Sequence, residues 1–160
     1  MSRLSIPVRL VLLVAVLGVM MFATNAYLSR QLSDNSDAIA EEAELVEILT
    51  IANGANAAFG SLKHWLTDLA VSLLMNSERN AYAARDALMA ELDRLDPHAP
   101  KTVALIRVEV EGLMTQSLDA VDAYSDDQRV LGNSLMAAGR QHIQAIDTLL
   151  SDMVLSLIHI

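Results

Sequence analysis

Two groups of side chains have types and spacings suited to binding chemistry. The first is Lys63-His64-Trp65, followed by Asp68. His64 and Asp68 are four residues apart, so on a helix they share a face and could form a hydrogen bond or half of a metal site. The ordinary interpretation is a surface pair beside a packed Trp65. The functional interpretation is that His64, Trp65 and Asp68 contact a ligand.

The second group surrounds Tyr124 and Arg129, with four acidic residues at positions 119, 122, 126 and 127. Asp122 and Asp126 are like charges four residues apart on a helix, an unfavourable arrangement that a cation or Arg129 would relieve. The ordinary interpretation is a solvated acidic face at a helix junction. The functional interpretation makes Tyr124 and Arg129 ligand contacts. His142 is an isolated histidine, for which we expect a surface or interface position.

Catalytic motifs are missing from the sequence. It has no glycine-rich phosphate loop, no nucleophile motif and no H-E-x-x-H metal motif, and it contains no cysteine. We therefore expect no enzymatic activity, cofactor or metal site, and an exported enzyme ranks third among the functions considered. The formal net charge of −9 argues against nucleic acid as a partner.

An apolar segment from Leu10 to Leu28 precedes all of these residues and contains no charged side chain. A helix of this length covers about 28 Å, close to the hydrocarbon thickness of a bilayer. Because Arg3 and Arg9 precede the segment and all acidic residues follow it, we expect residues 1–9 to be cytoplasmic. Residues 10–28 would then be an uncleaved transmembrane anchor in contact with membrane lipid. A cleaved signal peptide, with its small-residue site at 24–26, is the alternative.

The exported part has the pattern of long amphipathic helices. Apolar residues alternate at spacings of three and four, which predicts a first helix that begins near Ser33 or Ser36 or continues directly from the membrane span. The inward positions of this helix are Leu45, Ile48, Ala52, Ala55, Phe59, Leu62, Leu66, Leu69 and Leu73. This stripe is either the interior of a bundle or a contact between two copies of the chain. We hypothesise that Ala52, Ala55 and Phe59 contribute to a homodimer contact.

Three further helices follow. Ser77 is the predicted N-cap of the second, residues 96–100 form a turn with two prolines, and residues 125–127 form a cap or an irregularity before the last helix. The predicted inward positions are Ala81, Ala84, Leu88, Leu92 and Leu95, then Val103, Ile106, Val110, Leu113, Ser117, Ala120 and Tyr124, then Leu131, Leu135, Gly139, Ile143, Ile146, Leu150, Met153 and Leu157. The predicted fold is all-α, with an N-terminal transmembrane helix continuing into an antiparallel four-helix bundle.

An N-terminal anchor followed by an acidic helical domain resembles the sensory region of bacterial methyl-accepting chemotaxis proteins and of related sensor kinases and cyclases. The stretches LKHWLTDLAVSLL (Leu62 to Leu74) and LDAVDAYSDDQRVLGNSLMAAGRQHI (Leu118 to Ile143) carry this resemblance. It implies a dimeric receptor in the bacterial inner membrane that binds a small periplasmic ligand. Such a receptor passes ligand occupancy to a cytoplasmic output by helix displacement.

These expectations assign residues 31–155 to a periplasmic sensor domain. The ending SLIHI, residues 156–160, resembles translated adapter sequence, so we expect the natural chain to diverge near Leu155. The alternative function, from a different class, is a single-span membrane-anchored module that uses its helices only to assemble with partners.

Overall fold

The computed structural model describes the backbone of residues 6–158. The described chain is all-helical, as predicted, and consists of α1 (Ile6–Ser72), α2 (Met75–Leu95), α3 (Pro100–Ser125) and α4 (Arg129–Ile158). The predictions made for Arg3, for residues 1–5 of the N-terminal segment and for the last two residues of the tail lie outside the described residues.

Helix α1 runs without interruption through the apolar segment and into the amphipathic one. This outcome matches the prediction of direct continuation, because no Gly or Pro lies between Val19 and Asn53 to end the helix. The chain nevertheless divides into two compact units, Met1–Glu44 and Leu45–Ile160.

Two parts of α1, Leu12–Ser33 and Ile39–Ser72, are long and apolar enough to cross a membrane. They differ in burial, because none of the first stretch is buried, whereas a third of the second is. The second stretch supplies part of a protein core. The first, which overlaps the predicted anchor, has no protein partner among the described residues.

The second unit is a helical bundle whose core draws on all four helices. The predicted inward residues of α1 from Ile48 to Leu69, those of α2, and those of α3 from Val103 to Ala120 are buried, as are Gly139, Ile146, Leu150 and Met153 of α4. Leu45, Leu135, Ile143 and Tyr124 are only partly buried. Burial of this apolar face contributes most of the stability of such a bundle.

The α1–α2 turn corrects two predictions. Leu73, predicted to face inward, is 46% exposed, because its left-handed φ of 55° ends α1 one residue earlier. Ser77 is not the N-cap, because α2 begins at Met75 after Leu74. Ser77 instead lies inside the first turn of α2 and is buried.

The other two turns lie where the sequence predicted them. Helix α2 ends at Leu95, and Pro100 is the first residue of α3, where its fixed φ and missing N–H are tolerated. Helix α3 ends at Ser125, and Asp127 has a left-handed φ of 58° before α4 begins. Leu131, predicted to face inward, is 47% exposed, and the adjacent Gly132 is buried in its place.

Contacts between neighbouring helices define the order of the bundle. Gly54 of α1 faces Glu91 of α2, and Arg107 of α3 pairs with Asp93 of α2. His142 of α4 pairs with Glu109 of α3. Lys63 of α1 pairs with Asp147 of α4 at 3.0 Å, so the first and last helices are also neighbours. Since short turns join consecutive helices, the bundle is antiparallel.

Candidate functional site

The α1 cluster contains both exposed and buried side chains. His64 is exposed, and its ring meets the edge of Trp65 with centroids 4.9 Å apart and planes at 63°. Trp65 is partly buried and packs against the core, as its position beside Leu66 predicted. The Lys63 ammonium lies 4.4 Å above the Phe59 ring and bonds to Asp147. His64 therefore presents an aromatic nitrogen heterocycle to solvent beside a fixed indole.

Asp68 does not bond to His64 in this arrangement. Its Oδ2 accepts a hydrogen bond from the buried Ser77 hydroxyl and a longer one, 3.4 Å, from Ser72. The Ser72 hydroxyl also accepts a hydrogen bond from the Leu74 backbone N–H at 3.3 Å. This Asp68–Ser72–Ser77 network satisfies polar groups on both sides of the α1–α2 turn. The carboxylate is thus engaged in closing the turn, and sequence spacing did not predict that role.

In the second cluster, Tyr124 makes a contact within the bundle, whereas Arg129 is exposed. The Tyr124 hydroxyl donates to Asn133 Oδ1 at 2.9 Å, and the ring lies against Gly132. Arg129 is exposed and lines an open groove at the start of α4, together with Asp127, Gln128, Val130, Leu131 and Ser134. Arg129 is outside the ion pairs found among the described residues. Its guanidinium is therefore available to an anionic group.

Antiparallel topology places the α1–α2 turn and the α3–α4 turn at the same end of the bundle. The two clusters nevertheless lie at different levels along it, because Lys63, next to His64, pairs with Asp147. Asp147 is eighteen residues, about 27 Å, along α4 from Arg129, so His64 and Trp65 do not share a site with Arg129. The predicted packing stripe of α1 lies mostly inside the bundle. Its members are Leu45, Ile48, Ala52, Ala55, Phe59 and Leu62. From Ile48 onward it faces the interior of the single chain, with Ala52 and Ala55 fully buried.

Within the described residues, no three His, Cys, Asp or Glu side chains converge closely enough to hold a metal ion. On α2, a hydrogen bond to Asp86 raises the pKa of Arg85 above its ordinary value, so this surface guanidinium stays charged.

Sequence reasoning missed the polar contacts between helices. Glu109 and His142 are 33 residues apart and lie 2.7 Å from each other across α3 and α4. No local motif encodes such a pair. One indication was available. Glu109 and Gly112 are three residues apart and therefore share a face of α3, whereas the inward face of a helix is ordinarily apolar. Comparison with protein-family models, with curated proteins and with solved structures finds no match to this chain.

Proposed function

We propose that this chain is the N-terminal sensory part of a bacterial transmembrane receptor, with one span and a periplasmic helical bundle. The observation that carries the proposal is the single helix α1, which includes both an unburied span-length apolar stretch and the first helix of a packed bundle. An apolar stretch of that length with no protein to cover it is stable in lipid. The proposal assigns ligand recognition and no catalysis to the bundle.

The proposed ligand contacts are Arg129 and Tyr124, at the end of the bundle formed by the α3–α4 turn. They combine a free guanidinium with an aromatic ring held in place by Asn133. These groups suit a small anionic solute, because a guanidinium binds carboxylate or phosphate in a forked geometry. A ligand that bound one arrangement of the helices more tightly than another would shift their positions.

We further propose a homodimer that uses the outward face of α1. Between Ile48 and Ser72 the only charged residues are Lys63 and Asp68, which bond to Asp147 and to serines within the chain. The outward positions, spaced by three and four, are Val46, Thr50, Asn53, Ala57, Gly60, His64, Thr67 and Val71.

The outward faces of the other helices are different. Each carries four exposed charged residues: Arg79, Asp86, Asp93 and Arg94 on α2; Lys101, Glu111, Asp119 and Asp122 on α3; Arg129, Arg140, Asp147 and Asp152 on α4. The hydroxyls of Thr50 and Thr67 bond back to the carbonyls of Val46 and Lys63, so they need no water. A second copy of α1 has the matching heptad spacing that paired helices require.

Oxidative crosslinking in membranes tests the dimer, and the absence of cysteine makes the chain a clean background. We expect Ala57→Cys, on the outward face, to crosslink two protomers. Ala52→Cys is the matched control, because its side chain is fully buried within one chain and should not crosslink. Equal crosslinking of the two variants, or none for Ala57→Cys, would contradict the proposed interface.

Thermal unfolding with a panel of small carboxylates and phosphates tests ligand recognition. A ligand at one hundred times its Kd stabilises the fold by about 2.7 kcal/mol, a readily measured rise in Tm. We expect Arg129→Gln to abolish that rise, whereas Arg140→Gln, which removes an exposed charge from the middle of α4, should leave it unchanged. Topology is tested with alkaline phosphatase joined after Leu155, which should be active only if this end is exported.

A second candidate is an anchored interaction module, favoured by exposed apolar side chains at the same end of the bundle. They are Val71, Leu73, Leu74, Met75, Val130 and Leu131, with exposures from 46% to 86%. Surfaces of this kind often mark protein contacts. If no small solute raises the Tm while Met75→Glu abolishes co-purification of a membrane partner, this candidate replaces the sensor.

A further inference from the structure

Helices α3 and α4 pack against each other along much of their length, more closely than α2 packs against α3. Two aromatic rings lie in this interface, and each rests on a glycine of the opposite helix. The arrangement is reciprocal, because one ring comes from α4 and the other from α3.

The first ring is His142 of α4, which lies on Gly112 of α3. A Cβ atom added at residue 112 would come within 2.5 Å of the imidazole, so a larger residue there would displace the ring from this position. The Nδ1 atom of the same ring is 2.7 Å from the Glu109 carboxylate, one turn earlier on α3. The ring is therefore held both by shape and by a polar bond.

The second ring is Tyr124 of α3, which lies on Gly132 of α4. A Cβ atom at residue 132 would overlap three carbons of the phenol ring. The hydroxyl group donates to Asn133, the next residue of α4. A third glycine, Gly139 of α4, faces Leu113 of α3, with 3.6 Å from its Cβ position to Cδ1.

From this geometry we infer that the two rings lock α3 and α4 in axial register, so that the α3–α4 hairpin moves as one body. Gly112 and Tyr124 are separated by twelve residues, about 18 Å along α3, so the hairpin is fixed at two distant points. Sliding by a single residue, about 1.5 Å, would remove each ring from its glycine and drive it against a neighbouring side chain.

Because the two ring contacts fix α3 against α4, a rearrangement of the bundle must take place between the hairpin and the other helices. The polar links from the hairpin to α1 and α2 are Lys63–Asp147 and Arg107–Asp93, and their side chains are between 33% and 66% exposed. Exposed ion pairs of this kind contribute little and are easily exchanged for water. The hairpin is therefore joined to α1 and α2 mainly by the apolar core, and we expect relative movement of helices to occur there and not between α3 and α4. This inference holds whatever the bundle binds.

Distances between spin labels on the full chain in lipid nanodiscs test the lock. The exposed pair Thr115→Cys with Gln141→Cys reports α3 against α4, and the exposed pair Ser61→Cys with Gln141→Cys reports α1 against α4. We expect a single narrow distance for the first pair and a broader distribution for the second. Equal widths, or a broader α3–α4 distribution, would overturn the inference.

The variant Gly112→Ala with Gly132→Ala should displace both rings and broaden the α3–α4 distribution. Gly60→Ala is the matched control, since nothing lies within 4 Å of its Cβ position. If the double variant fails to fold, His142→Ala with Tyr124→Ala removes both rings without overfilling the interface. An α3–α4 distribution unchanged by that second variant would also overturn the inference. Diluting the labelled chain with unlabelled chain removes distances between protomers, and no ligand is needed, so the proposed function can fail separately.

Discussion

The Asp68–Ser72–Ser77 network at the α1–α2 turn predicts a specific loss of stability on Ser77→Ala. The Ser77 side chain is 2% exposed, and its hydroxyl donates to the Asp68 carboxylate. A hydrogen bond to a charged group contributes about 1.5–3 kcal/mol. Alanine has a better helix propensity than serine, which returns roughly 0.5 kcal/mol. The expected net loss is therefore about 1–2.5 kcal/mol.

Thermal unfolding followed by circular dichroism is the appropriate assay. For a bundle of this size a loss of 1 kcal/mol lowers the Tm by roughly 4 °C, so we expect a decrease of roughly 4–10 °C. Ser61→Ala is the matched control, because Ser61 is an exposed helical serine, on α1, whose hydroxyl bonds to the Ala57 carbonyl. That control should leave the Tm unchanged or raise it slightly.

A double-mutant cycle with Asp68→Ala separates the hydrogen bond from other effects of the substitution. If Ser77 and Asp68 act through their mutual bond, the two losses will not add, and the coupling will exceed about 0.5 kcal/mol. Additive losses, or a Ser77→Ala variant as stable as Ser61→Ala, would refute the reasoning. The turn would then be held by its apolar contacts alone.

Three further predictions concern the same bundle and use the same unfolding assay. Phe59→Ala should cost about 3–5 kcal/mol, because the ring is 1% exposed, whereas Val71→Ala, at 82% exposure, should cost under about 0.5 kcal/mol. Leu73→Gly should stabilise the fold by roughly 1 kcal/mol, since glycine adopts the left-handed φ of 55° without strain; a lower Tm would show that the leucine side chain makes a stabilising contact. Lys63→Gln should cost less than about 1 kcal/mol, a difference that 0.5 M NaCl should largely remove.

The sequence predicted most of the helical architecture because long periodic stripes determine which faces are buried. The inward positions of α2 from Ala81 to Leu95 are confirmed, and so is the turn before Pro100. The errors lie at helix ends. Leu73 and Leu131 fitted the three-four spacing, but a left-handed residue at or just before each of them rotates the chain away from the core.

The candidate site was less predictable, because its contacts join residues far apart in sequence. His64 and Asp68 share a helix face by spacing, yet Asp68 bonds to Ser77 across the α1–α2 turn. No sequence pattern predicted the left-handed φ of Leu73 in that turn. Likewise, His142 gave no indication of its partner, because Glu109 lies on another helix. Local periodicity determines which face of a helix is inward, whereas tertiary packing determines which polar groups meet.

The outward face of α1 explains why the first helix of the bundle is so apolar. The stretch Ile39–Ser72 is apolar enough to cross a membrane, although the large side chains of its inward face, from Ile48 to Leu69, are packed in a protein core. An ordinary amphipathic helix with such a core face carries charges on the opposite face, which lower its average apolar character. In α1 the opposite face is occupied by small or uncharged residues such as Thr50, Ala57 and Gly60. Between Ile48 and Ser72 the apolar composition therefore results from two faces that both carry little charge, and the outward face is the one that a partner helix would cover.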